Sequence, residues 1–125
     1  MDELVVRRFD DVAWSEGPAG DSPERIERAR AGGYRRKALL AGEGDVYLTY
    51  VEMGPGWTVH PHSHTAKEII HVLDGSLTPA GSDAPVEAGG SLVVGADVVY
   101  GFTCGPAGVK FLIYRQSDAA IKFAE

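Results

Sequence analysis

Cysteine is nearly missing from this chain: Cys104 is the only one among 125 residues. A single thiol cannot form an internal disulfide, and a chain of this length buries about two-thirds of its unfolded surface without such staples. That usage fits a reducing compartment, so a cytoplasmic location is expected. Long apolar runs are also missing. No stretch approaches the roughly 20 residues that span a bilayer, and no membrane partner is expected. The first residues, MDELVVRRFDD, are too acidic and too poor in apolar side chains to read as a signal peptide. Positive charge is scarce as well, with 12 Lys and Arg against 18 Asp and Glu, a net charge of −6. Nucleic-acid binding needs a basic footprint, so that class is set aside. Half of the cations lie in one cluster (Arg25, Arg28, Arg30, Arg35, Arg36 and Lys37), interleaved with Glu24 and Glu27, which reads as a solvated helix face and strand edge. Repeats, low-complexity tracts and dividing linkers are absent, so the chain reads as a single domain.

Glycine, by contrast, is abundant at 16 residues, and it separates short apolar stretches. Short strands joined by tight turns carry that punctuation, and the fold class is therefore all-β. Residues rich in Val, Ile, Leu, Tyr and Thr place strands at 34–41, 45–53, 57–60, 68–74, 76–80, 91–94, 98–104 and 109–115. Their spacing suits a sandwich or barrel better than βαβ units. One short helix is expected at 22–31, with Ser22 as its cap, Pro23 in its first turn, Glu24 at its positive end and Gly32-Gly33 stopping it. Residues 1–33 then form an N-terminal extension packed on a barrel built from residues 34–125.

All four histidines fall between positions 60 and 71, within GPGWTVHPHSHTAKEIIHVLDG. Alternate residues of a strand share a face, so His62 and His64 can point together with Cα atoms about 6.6 Å apart. Two imidazoles at that spacing can close on one metal ion at about 2.0–2.1 Å each. His60 would lengthen the row to about 13 Å, too far for one ion unless the strand bends. Glu68 follows four residues after His64 and opens an apolar strand on which Glu68, Ile70 and Val72 share a face. His71 has the opposite parity and reads as a structural or interface histidine.

This pattern resembles the cupin superfamily. The first cupin motif is matched at Gly56, His62, His64, Glu68 and Gly75. The second is degenerate: Gly89 matches, but Gly95 replaces a proline, Asp97 a glycine, Tyr100 a histidine and Cys104 an asparagine. The resemblance implies a double-stranded β-helix, or jelly-roll barrel, in a small single-domain cupin. It also implies one divalent transition metal held by His62, His64 and Glu68. Imidazole plus carboxylate favours Fe(II), with Zn, Mn, Ni or Cu as alternatives. Tyr100 stands at the open fourth position, where a phenolate ligand, a hydrogen-bonding acid near substrate and an aromatic plug are all admissible. The catalytic candidates are accordingly Tyr100 and Glu68, with His60, Phe102 and Cys104 as further pocket candidates.

Two imidazoles and one carboxylate form the donor set of non-haem Fe(II) oxygenases. An oxygenase-like enzyme acting on a small aromatic or dicarbonyl substrate is the leading expectation. One alternative is a redox-neutral cyclase or isomerase of the polyketide-biosynthesis type. The other is a non-catalytic, metal-stabilised binding or sensor module. A homodimer is expected, since a small β-domain must cover its sheet edges.

Overall fold

The computed structural model describes residues 4–15, 22–118 and 121–123. The helix α1 (Pro23–Ala31) starts where a cap is available: the Ser22 hydroxyl accepts a hydrogen bond from the Arg25 N–H at 3.3 Å. Eight strands follow: β1 (Arg35–Ala41), β2 (Tyr47–Met53), β3 (Thr58–His64), β4 (Glu68–Pro79), β5 (Val86–Glu87), β6 (Ser91–Val94), β7 (Tyr100–Arg115) and β8 (Ile121–Phe123). All pairings are antiparallel. The all-β class is as expected, whereas several boundaries differ. The stretches expected at 68–74 and 76–80 form one strand, β4, and those at 98–104 and 109–115 form one strand, β7. The short strands β5 and β8 were not foreseen, nor were the single 3-10 turns at Phe9–Asp11 and Glu43–Asp45.

The fused strands are the frame of the domain. β7 pairs along one edge with β3 in its first part and with β2 in its second, while β4 lines its other edge. Between these parts the β4–β7 register shifts: Leu77 faces Cys104, but Gly75 already faces Val109. The surplus residues of β7 bend the ribbon there. Gly75 permits the bend because its φ is +72° and an added Cβ would lie 2.1 Å from the Gly108 carbonyl oxygen. A glycine that reads as a strand break is therefore a corner. Folding at this corner brings Phe102 edge-to-face with Phe111, ring centroids 5.9 Å apart. Around them Val51, Ile70, Val72, Leu77, Cys104 and Val109 complete the core. A fully buried Ile, Leu or Phe side chain contributes roughly 1.5–3 kcal/mol, so this cluster holds the two halves of the ribbon together.

Residues ahead of β1 pack on its outer side. Ser15 and Arg36 exchange backbone hydrogen bonds at 2.7 and 2.9 Å. Lys37 is buried beneath them, where its ammonium donates to the Phe9 carbonyl at 2.7 Å and lies 3.8 Å from the Phe9 ring centroid and 4.7 Å from that of Trp14. Among the described residues, no helix is long and apolar enough to cross a membrane.

Candidate active site

A β-bulge positions the histidines. On β3, Val59 faces Phe102 and His62 faces Tyr100, so His60 and Pro61 together oppose the single residue Gly101. The extra residue rotates the chain and resets the alternation. His60 thus turns outward and is exposed, although it has the same sequence parity as His62. Proline is tolerated at such a bulge because the ladder needs no N–H from it. The backbone of His60 still serves the site, since its carbonyl oxygen lies 2.8 Å from His62 Nδ1. With a proton on Nδ1, this contact fixes the ring and directs Nε2 away as the lone-pair nitrogen.

Beyond the bulge His62 and His64 are both buried, with ring centroids 4.9 Å apart. Glu68, the first residue of β4, is 1% exposed on the inward face it shares with Ile70 and Val72. His64 Nδ1 sits 3.5 Å from Glu68 Oε2 yet makes no hydrogen bond, which leaves a buried ring nitrogen unsatisfied. Burial pushes His64 down to about 4 against the opposing pull of the Glu68 carboxylate, so its imidazole is neutral at ordinary pH.

The Glu68 carboxylate is gripped from both ends of β7. The Tyr100 hydroxyl donates to Oε1, while Arg115 donates to Oε2 from Nε at 2.8 Å and from Nη2 at 2.7 Å. Tyr100 also lies close to both imidazoles, 4.6 Å from the His62 ring centroid and 6.1 Å from that of His64. Burial first, and then the charge of Glu68, raises its hydroxyl far above the usual phenol range, so Tyr100 remains protonated. Phe102 stacks beside it at 6.5 Å. Cys104 shares the face expected for it but belongs to the core, where its thiol contacts Met53 Sδ at 3.9 Å and burial pushes it up to about 11. His71 points outward, its Nδ1 lying 2.7 Å from Ser91 Oγ.

The donors therefore sit side by side in a state other than the simple three-ligand set expected. Among the described residues, no three His, Cys, Asp or Glu side chains converge as they stand to hold an ion. Glu68 is turned toward Tyr100 and Arg115 instead. The chemistry nevertheless fits a divalent transition metal, because an unsatisfied buried imidazole nitrogen faces a carboxylate oxygen beside a second oriented imidazole.

The backbone is shared with known proteins. The polyketide cyclase RemF from Streptomyces resistomycificus superposes on all of the chain and 87% of its own length, with a TM-score of 0.72 and 21% identity. A sugar phosphate isomerase of the cupin superfamily from Silicibacter pomeroyi matches over 97% of the chain and 82% of its own, with a TM-score of 0.69 and 16% identity. The chain has the cupin fold. In sequence, the chain is 36% identical over 73 residues, 57% of its length, to the dimethylsulfoniopropionate lyase DddW of Ruegeria pomeroyi. It spans about half of that lyase, 48% of its length. No protein-family profile matches the chain.

Arg115 is the site residue that the sequence reading missed. Its signal was present, since Phe111, Ile113 and Arg115 share parity on a strand and Phe111 is core. An arginine that ends an apolar face needs a buried anion, and Glu68 is that anion.

Proposed function

We propose that this cupin is a metal-dependent enzyme that moves a proton on a small organic substrate without net redox change, as in a lyase, cyclase or isomerase. The observation that carries the reading is the hydrogen bond from the buried Tyr100 hydroxyl to Glu68 Oε1, next to two buried imidazoles. His62 and His64 would hold the metal, and Glu68 would add its Oε2 oxygen, which already lies on the His64 side. When bound, such an ion polarises a substrate carbonyl or carboxyl group as a Lewis acid.

The proton work belongs to the chain. Tyr100 is too weak an acid to wait as a phenolate, so its oxygen takes a substrate proton as its own proton passes to Glu68 Oε1. Running the pair in reverse returns the proton to a different substrate atom, and charge is conserved throughout. Arg115 steadies the carboxylate during the exchange through its two N–H contacts. Phe102, buried and stacked on Tyr100, gives the inner side of the site an apolar wall. The lyase DddW and the cyclase RemF, both redox-neutral by name, favour this class over the oxygenase expected from donor composition.

The test is proton exchange and turnover in D2O under nitrogen, followed by NMR, across small carboxylic acids and β-dicarbonyls that include dimethylsulfoniopropionate. Metal-dependent exchange that survives without dioxygen and disappears in Tyr100→Phe is the expected result. Turnover that occurs only with Fe(II) and consumes dioxygen would replace this reading with the oxygenase. Elemental analysis after metal loading should find one ion per chain, lost in His62→Ala and His64→Ala. A homodimer is also proposed, because Ile69, Leu73 and Val93 leave an apolar strip on the outer face of β4 and β6. Sedimentation at micromolar concentration should detect it, with Leu73→Glu shifting the chain to monomer.

A further inference from the structure

Arg115 and Glu68 form a lopsided pair. Both side chains are held by strands, yet the Glu68 side chain is 0% exposed and that of Arg115 is 20% exposed. Of the two side chains, that of Arg115 has surface open to a ligand and that of Glu68 has none. Two of the guanidinium donors, Nε and Nη2, are spent on the single oxygen Oε2, whereas Oε1 is left to Tyr100. A planar fork with five N–H groups still has donors to offer a second carboxylate, a geometry that an ammonium could not supply.

Charge arithmetic points the same way. Ligating imidazoles are neutral, and Tyr100 keeps its proton by donating it to Glu68. Among the described residues Glu68 is the carboxylate seen to balance Arg115. A divalent ion drawn to Glu68 would leave this buried region with two uncompensated positive charges, and such an excess is costly away from water. An incoming anion removes that cost; a neutral molecule of the same shape does not.

We infer that the substrate carries a carboxylate, and that Arg115 is the residue that recognises it through the guanidinium N–H groups not spent on Glu68. This rests on the reading of the His62, His64, Glu68 and Tyr100 group as the reaction site. Arg115 thereby has two states of engagement: in the ligand-free protein it neutralises Glu68, and in the complex it is shared between Glu68 and the substrate anion. Specificity follows from the same geometry, since esters and amides offer no charge to offset the excess.

The test uses malonate and its neutral isostere malonamide, titrated calorimetrically into the protein with and without stoichiometric Zn(II). Malonate should bind the Zn(II)-loaded wild type at least tenfold more tightly than malonamide. Arg115→Met should lose at least tenfold in malonate affinity while malonamide is unchanged, and Arg115→Lys should fall between. If Arg115→Met does not fold, the wild-type to Arg115→Lys step decides alone, because charge is kept and only the fork is lost. Equal binding of malonate by wild type and Arg115→Lys would then overturn the inference. So would equal binding of malonate and malonamide by wild type. If Zn(II) is not taken up at all, the proposed metal enzyme and the charge argument fail together, while the unused guanidinium donors are still tested: malonate binding by metal-free protein that weakens in Arg115→Lys keeps the anion site, and equal binding overturns it.

Discussion

Replacing Gly101 with alanine tests the bulge that aims the histidines. A Cβ at this position would lie 2.6 Å from the Val59 carbonyl oxygen, 3.2 Å from the Pro61 nitrogen and 3.3 Å from the His60 carbonyl carbon. All three atoms are backbone, so no side-chain rotation relieves the contact, and the bulged segment itself has to move. Overpacking of this kind costs roughly 1–3 kcal/mol. At about 4 °C of Tm per kcal/mol for a domain of this size, the melting point should fall by about 4–12 °C. The displaced atoms include the carbonyl group of His60, which orients the His62 ring. Zn(II) affinity should therefore fall as well, by roughly the 10–100-fold seen when a ligand loses its orienting partner. Circular dichroism melts and calorimetric Zn(II) titration read the two effects separately. Gly95→Ala is the control, because the Cβ there would meet only the Val98 Cγ2 methyl at 3.2 Å. A Gly101→Ala protein that melts within about 1 °C of wild type and binds Zn(II) equally well would refute the claim that this close approach holds the site in register.

Tyr100→Phe leaves Glu68 Oε1 without its donor in a buried setting, so stability should drop by about 1–3 kcal/mol in chemical denaturation. Turnover on any substrate found in the exchange screen should fall about 10²–10⁴-fold. Lys37→Met keeps the length of the side chain but removes the ammonium that bonds to the Phe9 carbonyl and lies over the Phe9 and Trp14 rings. A loss of about 1–2 kcal/mol and a red shift in tryptophan emission are expected as the N-terminal segment loosens, and an unchanged melt would sink the idea. The metal-free protein should lose stability as pH falls from about 6.5 toward about 4. Over that window the unfolded chain protonates His64 while the folded chain, with its imidazole held down to about 4, does not. Melting curves across the window should flatten in His64→Gln, and an equal slope in that variant would assign the effect to other groups.

Local chemistry made part of this legible in the sequence. The Ser22 cap, the period-two face shared by Glu68, Ile70 and Val72, and the His-x-His spacing are each decided within a few residues, and each appears as read. What escaped depends on register between distant strands. Gly75 and the segment 105–108 read as strand ends because glycine is a common stop, yet in the fold they bend continuous strands. The outward turn of His60 follows from a bulge defined by the opposing Gly101, 40 residues beyond Pro61. Nothing near Arg115 in the chain reveals that its partner is a carboxylate 47 residues earlier.

That separation orders how the site comes together as the chain folds. His64 and Glu68 are four residues apart, whereas Tyr100 and Arg115 lie 32 and 47 residues from the carboxylate they hold. Loop-closure entropy grows with the length of chain to be closed, and contacts between near neighbours form earlier. The β3–β4 turn thus gathers the proposed metal donors first, and the arrival of β7 supplies the guanidinium later. During folding, then, Glu68 would be open to a metal ion before Arg115 arrives to hold it.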